Sequence, residues 1–265
     1  MLISPVFGAP LLLIEGKKRI LVASDLHLGL EYELWQSGIS IPSQTEKILQ
    51  RLQNHLARIA PDRLLLLGDV KHNVPRTSWQ EKREVPEFLH RLSEEVPVEI
   101  VPGNHDGGLA DMAPPGVRVR ASSGIVLDGV GYFHGHTWPD VGVLQADLLV
   151  CAHLHPAIRL KDPLGCSFTR RVWARGPRAC EGAHDQEAHG RVGKVLGAPP
   201  PSEIIIMPAF NDLCGGLALN EPCDEKRGPI LSLPDMDRLR IYLLDGTDLG
   251  LLGEIKAALE RQGGE

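Results

Sequence analysis

"ILVASDLHLG", residues 20–29, runs from three aliphatic residues through Ala23 and Ser24 into Asp25 and His27. The apolar half has the composition of a buried strand. Side chains alternate faces along a strand with period two, so Asp25 and His27 project to the same side. A carboxylate and an imidazole at the mouth of a core are costly unless they are paired or bind a metal. A turn-capping aspartate beside a structural histidine reads the same way, and this stretch alone leaves both readings open.

The flanking sequence builds a sheet around it. Residues 11–14, a polar "EGKK" turn and residues 19–23 read as a hairpin. Ile48, Leu52, Leu56 and Ile59 recur at helical spacing, with Ser43 and Glu46 at capping-box positions ahead of them. Pro61 closes that helix, and "RLLLLGD", residues 63–69, reads as a second buried strand. "SWQE", residues 78–81, is another capping box, and Pro86 is expected to kink or restart its helix. "VEIVPGNHD", residues 98–106, is strand then loop. This β-α-β-α-β alternation predicts a layered α/β fold. "GIVLDGVGYF", residues 124–133, reads as a hairpin about Asp128-Gly129. "DLLVCAHLH", residues 147–155, "EIIIMPAF", residues 203–210, and "RLRIYLL", residues 238–244, supply further strands. Residues 170–203 are rich in Gly, Pro and Arg and lack apolar periodicity, so a surface insertion is expected around 174–202. Without an internal repeat or a linker, residues 1–265 read as one domain.

Composition narrows the function. The chain has 265 residues, 43% of them hydrophobic, and a net charge of −6, which does not indicate a generally basic nucleic-acid surface. Its five cysteines form no CxxC pair, and the N-terminal "LLLI" run is too short for a signal peptide. A cytoplasmic protein with reduced thiols and no membrane association is expected.

Polar residues recur at the C-terminal ends of the expected strands: Asp25 and His27, Asp69, then Asn104, His105 and Asp106, His134, and finally His153 and His155. Ligands bind outside the carboxyl ends of strands in open α/β sheets. One strand-end histidine is commonly structural; several strands delivering Asp, Asn and His to one edge are hard to explain as core satisfaction. Imidazole and carboxylate donors suit borderline divalent ions such as Mn, Fe and Zn, and the thiolate spacing of a structural zinc site is missing.

"DLH" at 25–27, "GD" at 68–69, "GNHD" at 103–106, "HGH" at 134–136 and "AHLH" at 152–155 resemble, in order, the motifs of the calcineurin-like metallophosphoesterase family. Ala152 stands where that family usually has glycine, a departure that restricts φ at this turn. "LGDVKH" and the C-terminal "MPAFNDLCGG" with "LLDGT" resemble more narrowly the archaeal SbcD-related phosphoesterases, akin to the DNA-ligase-associated metallophosphoesterases of bacteria. The resemblance implies an αββα-type layered sandwich and two divalent ions, Mn²⁺ first among Mn, Fe, Zn, Ni and Mg. It assigns Asp25, His27, Asp69 and His155 to one ion, and Asp69, Asn104, His134 and His153 to the other. Asp69 and a hydroxide would bridge them. His105 would act as the general acid, with Asp106 orienting its ring.

His72, His136 and Asn211 are candidates for substrate contact; for His72 a plain loop histidine, and for Asn211 a tight turn, is the competing reading. Arg170, Arg171, Arg175 and Arg178 suit either a polyphosphate backbone or a solvated loop. Cys180, His184 and His189 lack an evident fourth zinc ligand. The implied activity is hydrolysis of phosphodiesters, with nucleic acid or nucleotides as substrate. A phosphomonoesterase is the alternative, and a non-catalytic scaffold is disfavoured because every ligand position is filled. The resemblance to repair nucleases does not extend to partnership with a coiled-coil ATPase, since the chain leaves little room for docking helices.

Overall fold

A computed structural model of the chain describes residues 1–162, 165–178, 203–222 and 233–263. The first sheet contains β1 (Leu2–Pro5), β2 (Leu12–Glu15), β3 (Arg19–Ala23), β4 (Arg63–Leu67), β5 (Val98–Val101) and β6 (Arg118–Val119), in that spatial order. Strands β1 to β3 pair antiparallel and β3 to β6 parallel. Helices α1 (Leu30–Gln36), α2 (Thr45–Ile59) and α3 (Trp79–Glu95) lie in its crossovers.

The second sheet contains β7 (Ile125–Leu127), β8 (Val130–Tyr132), β9 (Leu148–Cys151), β10 (Pro156–Lys161), β11 (Ser167–Pro177), β12 (Glu203–Ile206), β13 (Leu217–Ala218), β14 (Arg240–Leu243) and β15 (Asp248–Leu251). Its order is β13-β10-β11-β12-β9-β8-β7, with β14 also pairing with β11 and β15 with β14. Strands β8, β9 and β12 run parallel to one another. The short helix α4 (Val141–Leu144) and the terminal helix α5 (Leu252–Gly263) accompany it.

Period-two alternation sorts the strand residues into three packed cores. Leu21, Ala23, Leu64, Leu66, Val98 and Ile100 pack with Ile48, Leu52 and Leu56 of α2 and with Phe88 and Leu92 of α3. Their strand neighbours Ile20, Val22, Leu65, Leu67 and Val101 turn the other way. There they meet Val130, Tyr132, Leu148, Val150, Trp173 and Ile205 of the second sheet. On that sheet's outer face, Leu149, Cys151, Val172, Ala174, Ile204 and Ile206 pack with Val143 and Leu252. The result is a helix–sheet–sheet–helix sandwich. Among the described residues, no helix is long and apolar enough to cross a membrane.

The hairpins form where expected, and Asp128 and Gly129 take φ of 50° and 83° in the turn between β7 and β8. Three local expectations need correction. Ser43 and Glu46 do not close a capping box: Ser43 Oγ accepts from Thr45 N at 3.2 Å and donates to Glu84, while Glu46 pairs with Arg91 at 2.7 Å, so the Glu46 carboxylate goes to α3 and not back to Ser43. Helix α3 runs unbroken through Pro86, held down by buried Val85, Phe88, Leu89 and Leu92. Residues 170–177, expected in a loop and partly within the surface insertion, belong to β11. Only Val172, Trp173 and Ala174 are apolar and buried there. The arginines that gave the segment its loop-like composition have partners: Arg171 with Asp212 at 2.8 Å, Arg175 with Glu203 at 2.6 Å, and Arg178 with the Leu144 carbonyl at 2.7 Å. Residues 179–202, with Cys180, His184 and His189, lie outside the described residues.

The second capping box does form, and it reaches further than a cap. Ser78 Oγ accepts from the Glu81 N–H, while Glu81 Oε2 accepts from Ser78 N at 2.6 Å. The other carboxylate oxygen of this fully buried residue accepts from His72 N at 2.9 Å and Asn73 N at 2.7 Å. Glu81→Ala strips several donors of their acceptor and should destabilise the fold by about 3 kcal/mol. Urea unfolding checks this; a midpoint equal to that of the wild type would show that water replaces the carboxylate.

Candidate metal centre

The parallel strands of both sheets point their C-terminal ends at one edge. Strand β3 leads to Asp25 and His27, β4 to Asp69, and β5 to Asn104, His105 and Asp106; β8 leads to His134 and His136, and β9 to His153 and His155. Backbone bonds stitch these loops together. Asp25 N donates to Gly68 O, and His27 N to Asp69 O. Phe210 N, beyond β12, donates to Ser24 O and so ties the second sheet's loop to the first.

The local backbone is contorted to aim the side chains inward. Seven described non-glycine residues have positive φ, and five of them are Asp25, His27, Asp69, His153 and His155, between 44° and 70°. Left-handed backbone costs an L-residue roughly 1–2 kcal/mol, so the surrounding packing must enforce it. Two glycines make room. A Cβ on Gly68 would overlap the His134 ring, and one on Gly103 would overlap the Asp69 carboxylate.

The donors converge in two groups. One nitrogen or oxygen from each of Asp25, His27, Asp69 and His155 lies within 4.8 Å of all the others, and the same holds for Asp69, His134 and His153. Asp69 belongs to both. His134 Nε2 is 3.1 Å from Asp69 Oδ2, His155 Nε2 is 3.3 Å from Asp25 Oδ1, and His27 Nε2 is 3.2 Å from His155 Nε2. The far ring nitrogens are anchored: His134 Nδ1 donates to Leu67 O and His155 Nδ1 to Gly215 O, both at 3.0 Å. Such anchoring fixes the tautomer and leaves Nε2 to face a metal.

The residues fit cations. Asp25 is fully buried, and among the described residues neither carboxylate oxygen has a hydrogen-bond partner. Burial opposes its charge, yet His155 and His134 hold its pKa below the usual carboxylate value. Burial also opposes charge on His134, but Asp69 and Asp25 outweigh it and push this imidazole up to about 9. Burial takes His27 down to about 3, and burial with the His134 charge takes His153 to about 4. Two buried carboxylates that outweigh burial at a neighbouring imidazole create a field that suits a cation.

A family model for calcineurin-like phosphoesterases matches residues 18–157, more than half of the chain and all the donors above. The chain belongs to the calcineurin-like phosphoesterase family. This makes it a metal-dependent hydrolase by kinship, in a family whose members typically hold two metal ions. Among solved structures, a nuclease, MPE, from Pseudomonas putida is 18% identical with a TM-score of 0.52, over 94% of this chain and 100% of that one. The E. coli phosphoesterase Yfce is 18% identical with a TM-score of 0.40, over 87% of this chain and 96% of that one.

The remaining candidates divide. Asn104 is exposed on the loop between Gly103 and His105, and His105 N donates to Asp69 Oδ1 at 2.9 Å. The His105 ring is anchored through Nδ1 to the His72 carbonyl, not by Asp106. Asp106 is buried, and its carboxylate accepts from Gly103 N, Val70 N and Lys71 N, so it clamps two site loops together. Burial, then Asp69, raises its pKa to about 6. Asn211 is also buried: its amide donates to Leu26 O at 2.9 Å and accepts from Leu213 N, which makes it a tie for the Asp25 loop and removes it from substrate contact. His72 Nδ1 is 3.0 Å from His27 Nδ1, with Glu33 on its other nitrogen. His136 is half-buried, its ring centroid 5.4 Å from that of His134. Sequence reasoning missed Glu33 and Cys214; the thiol sulfur of Cys214 groups with His27 and His155 within the same 4.8 Å. Its signal was only its place in the loop after β12.

Two expectations follow from this geometry. Asp69→Asn weakens the one side chain common to both groups, so metal content should fall from two ions per chain to one or none, as read by plasma emission spectrometry. Retention of two ions would remove Asp69 from the shared position. The second concerns protons. At pH 7 His134, with its pKa near 9, carries a proton that a ligand nitrogen must lose. Metal binding at pH 7 should release at least one proton, and apparent affinity should climb with pH and level off above about 9. Calorimetric titration in buffers of different ionisation enthalpy measures the release; a pH-independent affinity with no proton release would contradict the assignment.

Proposed function

We propose that the protein is a binuclear-metal phosphodiesterase acting on nucleic acid or nucleotides. The observation that carries this reading is the pair of donor groups sharing Asp69, set at the joint edge of the two sheets. Asp25, His27, Asp69 and His155 would hold one ion, and Asp69, Asn104, His134 and His153 the other. When bound, such ions supply Lewis acidity toward phosphoryl oxygens and lower the pKa of a coordinated water. The protein's own chemistry lies in the GNHD loop. His105 Nδ1 is fixed on the His72 carbonyl, which leaves Nε2 to carry a proton to the departing oxygen. Asp106 acts on the same loop from beneath by clamping Gly103 to Val70 and Lys71.

The preference for diesters is supported by the narrower resemblance of "LGDVKH" and "MPAFNDLCGG" to SbcD-related phosphoesterases, and by the full-length fold match to a nuclease. Mn²⁺ is the ion we would supply first. The test is a panel of bis-p-nitrophenyl phosphate, p-nitrophenyl phosphate, 2′,3′-cyclic nucleotides, and single- and double-stranded DNA. Faster turnover of the diesters supports the reading; a monoester turned over faster than every diester replaces it with a phosphomonoesterase.

The proton-donor role has its own signature. His105→Ala should keep both ions and lose about 10²–10⁴-fold in rate on nucleotide diesters, whose alkoxide leaving group needs a proton. On bis-p-nitrophenyl phosphate the loss should be far smaller, because nitrophenolate leaves without one. Equal losses on both substrates at full metal content would assign His105 to phosphoryl charge instead.

A further inference from the structure

We propose that Cys214 is an additional protein donor to the ion held by Asp25, His27, Asp69 and His155, and that its sulfur biases this position toward Zn²⁺, Co²⁺ or Fe²⁺ over Mg²⁺ and Mn²⁺. The inference rests on the metal-centre reading above and adds a ligand to it.

Three observations converge. Cys214 Sγ lies within 4.8 Å of one ring nitrogen of His27 and of one of His155, and both histidines also belong to the Asp25 and Asp69 group. Next, the loop that carries it is fixed on both sides of the cysteine. Asn211 grips Leu26 O through its amide, its own N–H donates to Asp25 O, and Cys214 N donates back to Asn211 O. On the other side, Gly215 O receives His155 Nδ1, and Gly216 packs so tightly against Ala157 and the His155 carbonyl that a Cβ there would lie 2.7 Å from each. The thiol therefore sits between the residue that holds the Asp25 loop and the carbonyl that orients His155. Finally, both Asp25 oxygens are buried and without a hydrogen-bond partner among the described residues, with Oδ1 3.3 Å from His155 Nε2, so the cation demanded by Asp25 meets this sulfur through the two histidines, His27 and His155, that belong to both groups.

The chemistry is ligand exchange without oxidation. The S–H bond breaks, sulfur keeps the electron pair and gives it to the cation, and the proton goes to solvent. Thiolate is a soft donor that favours zinc and the later first-row ions, whereas magnesium and manganese prefer oxygen. Among the described residues, the group of Asp69, His134 and His153 includes no sulfur. The two positions are thus chemically unequal, and a mixed pair of ions fits them better than two of a kind.

Titration of the metal-free full-length chain with Co²⁺ separates this inference from its premise. Visible ligand-field bands report cobalt on any nitrogen and oxygen donors, and a near-ultraviolet sulfur-to-cobalt charge-transfer band reports a thiolate. The wild type should show both. Cys214→Ser should keep the ligand-field bands and lose the charge-transfer band. Its Zn²⁺ affinity should drop by at least the 10- to 100-fold that loss of a mere supporting partner costs, with Mg²⁺ affinity unchanged. Ligand-field bands without charge transfer in the wild type would overturn the Cys214 assignment and leave the centre standing. Charge transfer that survives in Cys214→Ser would place the thiolate on another cysteine. Absence of both bands would overturn the centre as well. Should the variant fold poorly, alkylation of the wild type decides: Zn²⁺, and not Mg²⁺, should slow labelling of Cys214 as followed by peptide mass spectrometry, and equal labelling with and without Zn²⁺ overturns the proposal.

Discussion

Asp25 and Asp69 are two carboxylates buried side by side at the edge where the sheets meet, and the loops around them are organised by that fact. An anion taken out of water needs compensation. Asp69 receives some from the His105 amide and His134 Nε2; Asp25 receives it from imidazoles, with His155 Nε2 at 3.3 Å and His134 Nδ1 at 3.9 Å. The imidazoles are themselves held by carbonyls, at Leu67 for His134 and Gly215 for His155, so the rings cannot turn away. Positive φ at Asp25, His27 and Asp69 shows the backbone yielding to this arrangement. A fold that tolerates strain at these positions is one in which the strained residues have work to do.

Clamps beneath the ligands keep the geometry. Asp106 and Glu81 are buried acids whose carboxylates accept from backbone amides. Both reach the segment 70–73, which presents the carbonyl that anchors His105. The loop after β12 does the same from the second sheet through Asn211. Loops are normally the most adaptable parts of a fold; here their amides are tied down from two sheets and a helix start.

The strands and the candidate donor residues were legible in the sequence because each signal is local. "ILVAS" and "RLLLL" are apolar runs of strand length, and their polar sequels fall at the C-terminal ends. Strand β11 was illegible because three apolar residues sit among arginines whose acidic partners, Asp212 and Glu203, lie far along the chain. The Ser43 box failed for the same reason: its polar groups had better partners on α3. Asn211 and Asp106 carried the right residue types for a site, but only tertiary contacts show that their polar atoms are engaged with backbone. Cys214 was hidden because a single cysteine has no spacing to read.

The hydrogen bond from Phe210 to Ser24 and the approach of His155 to His27 join parts of the chain that are far apart; those two histidines are separated by 128 residues. An ion held by both would close that stretch into a ring. In a chain-entropy account, a covalent link closing about 100 residues removes roughly 4–5 kcal/mol of disorder from the unfolded chain. A coordinated cation would do the same reversibly, as a staple between the two sheets. During synthesis the first sheet emerges with Asp25, His27, Asp69 and Asn104 but without the histidines of the second. On the proposed ligand set, tight metal capture would close folding, and a chain holding its ions would already have stacked its sheets.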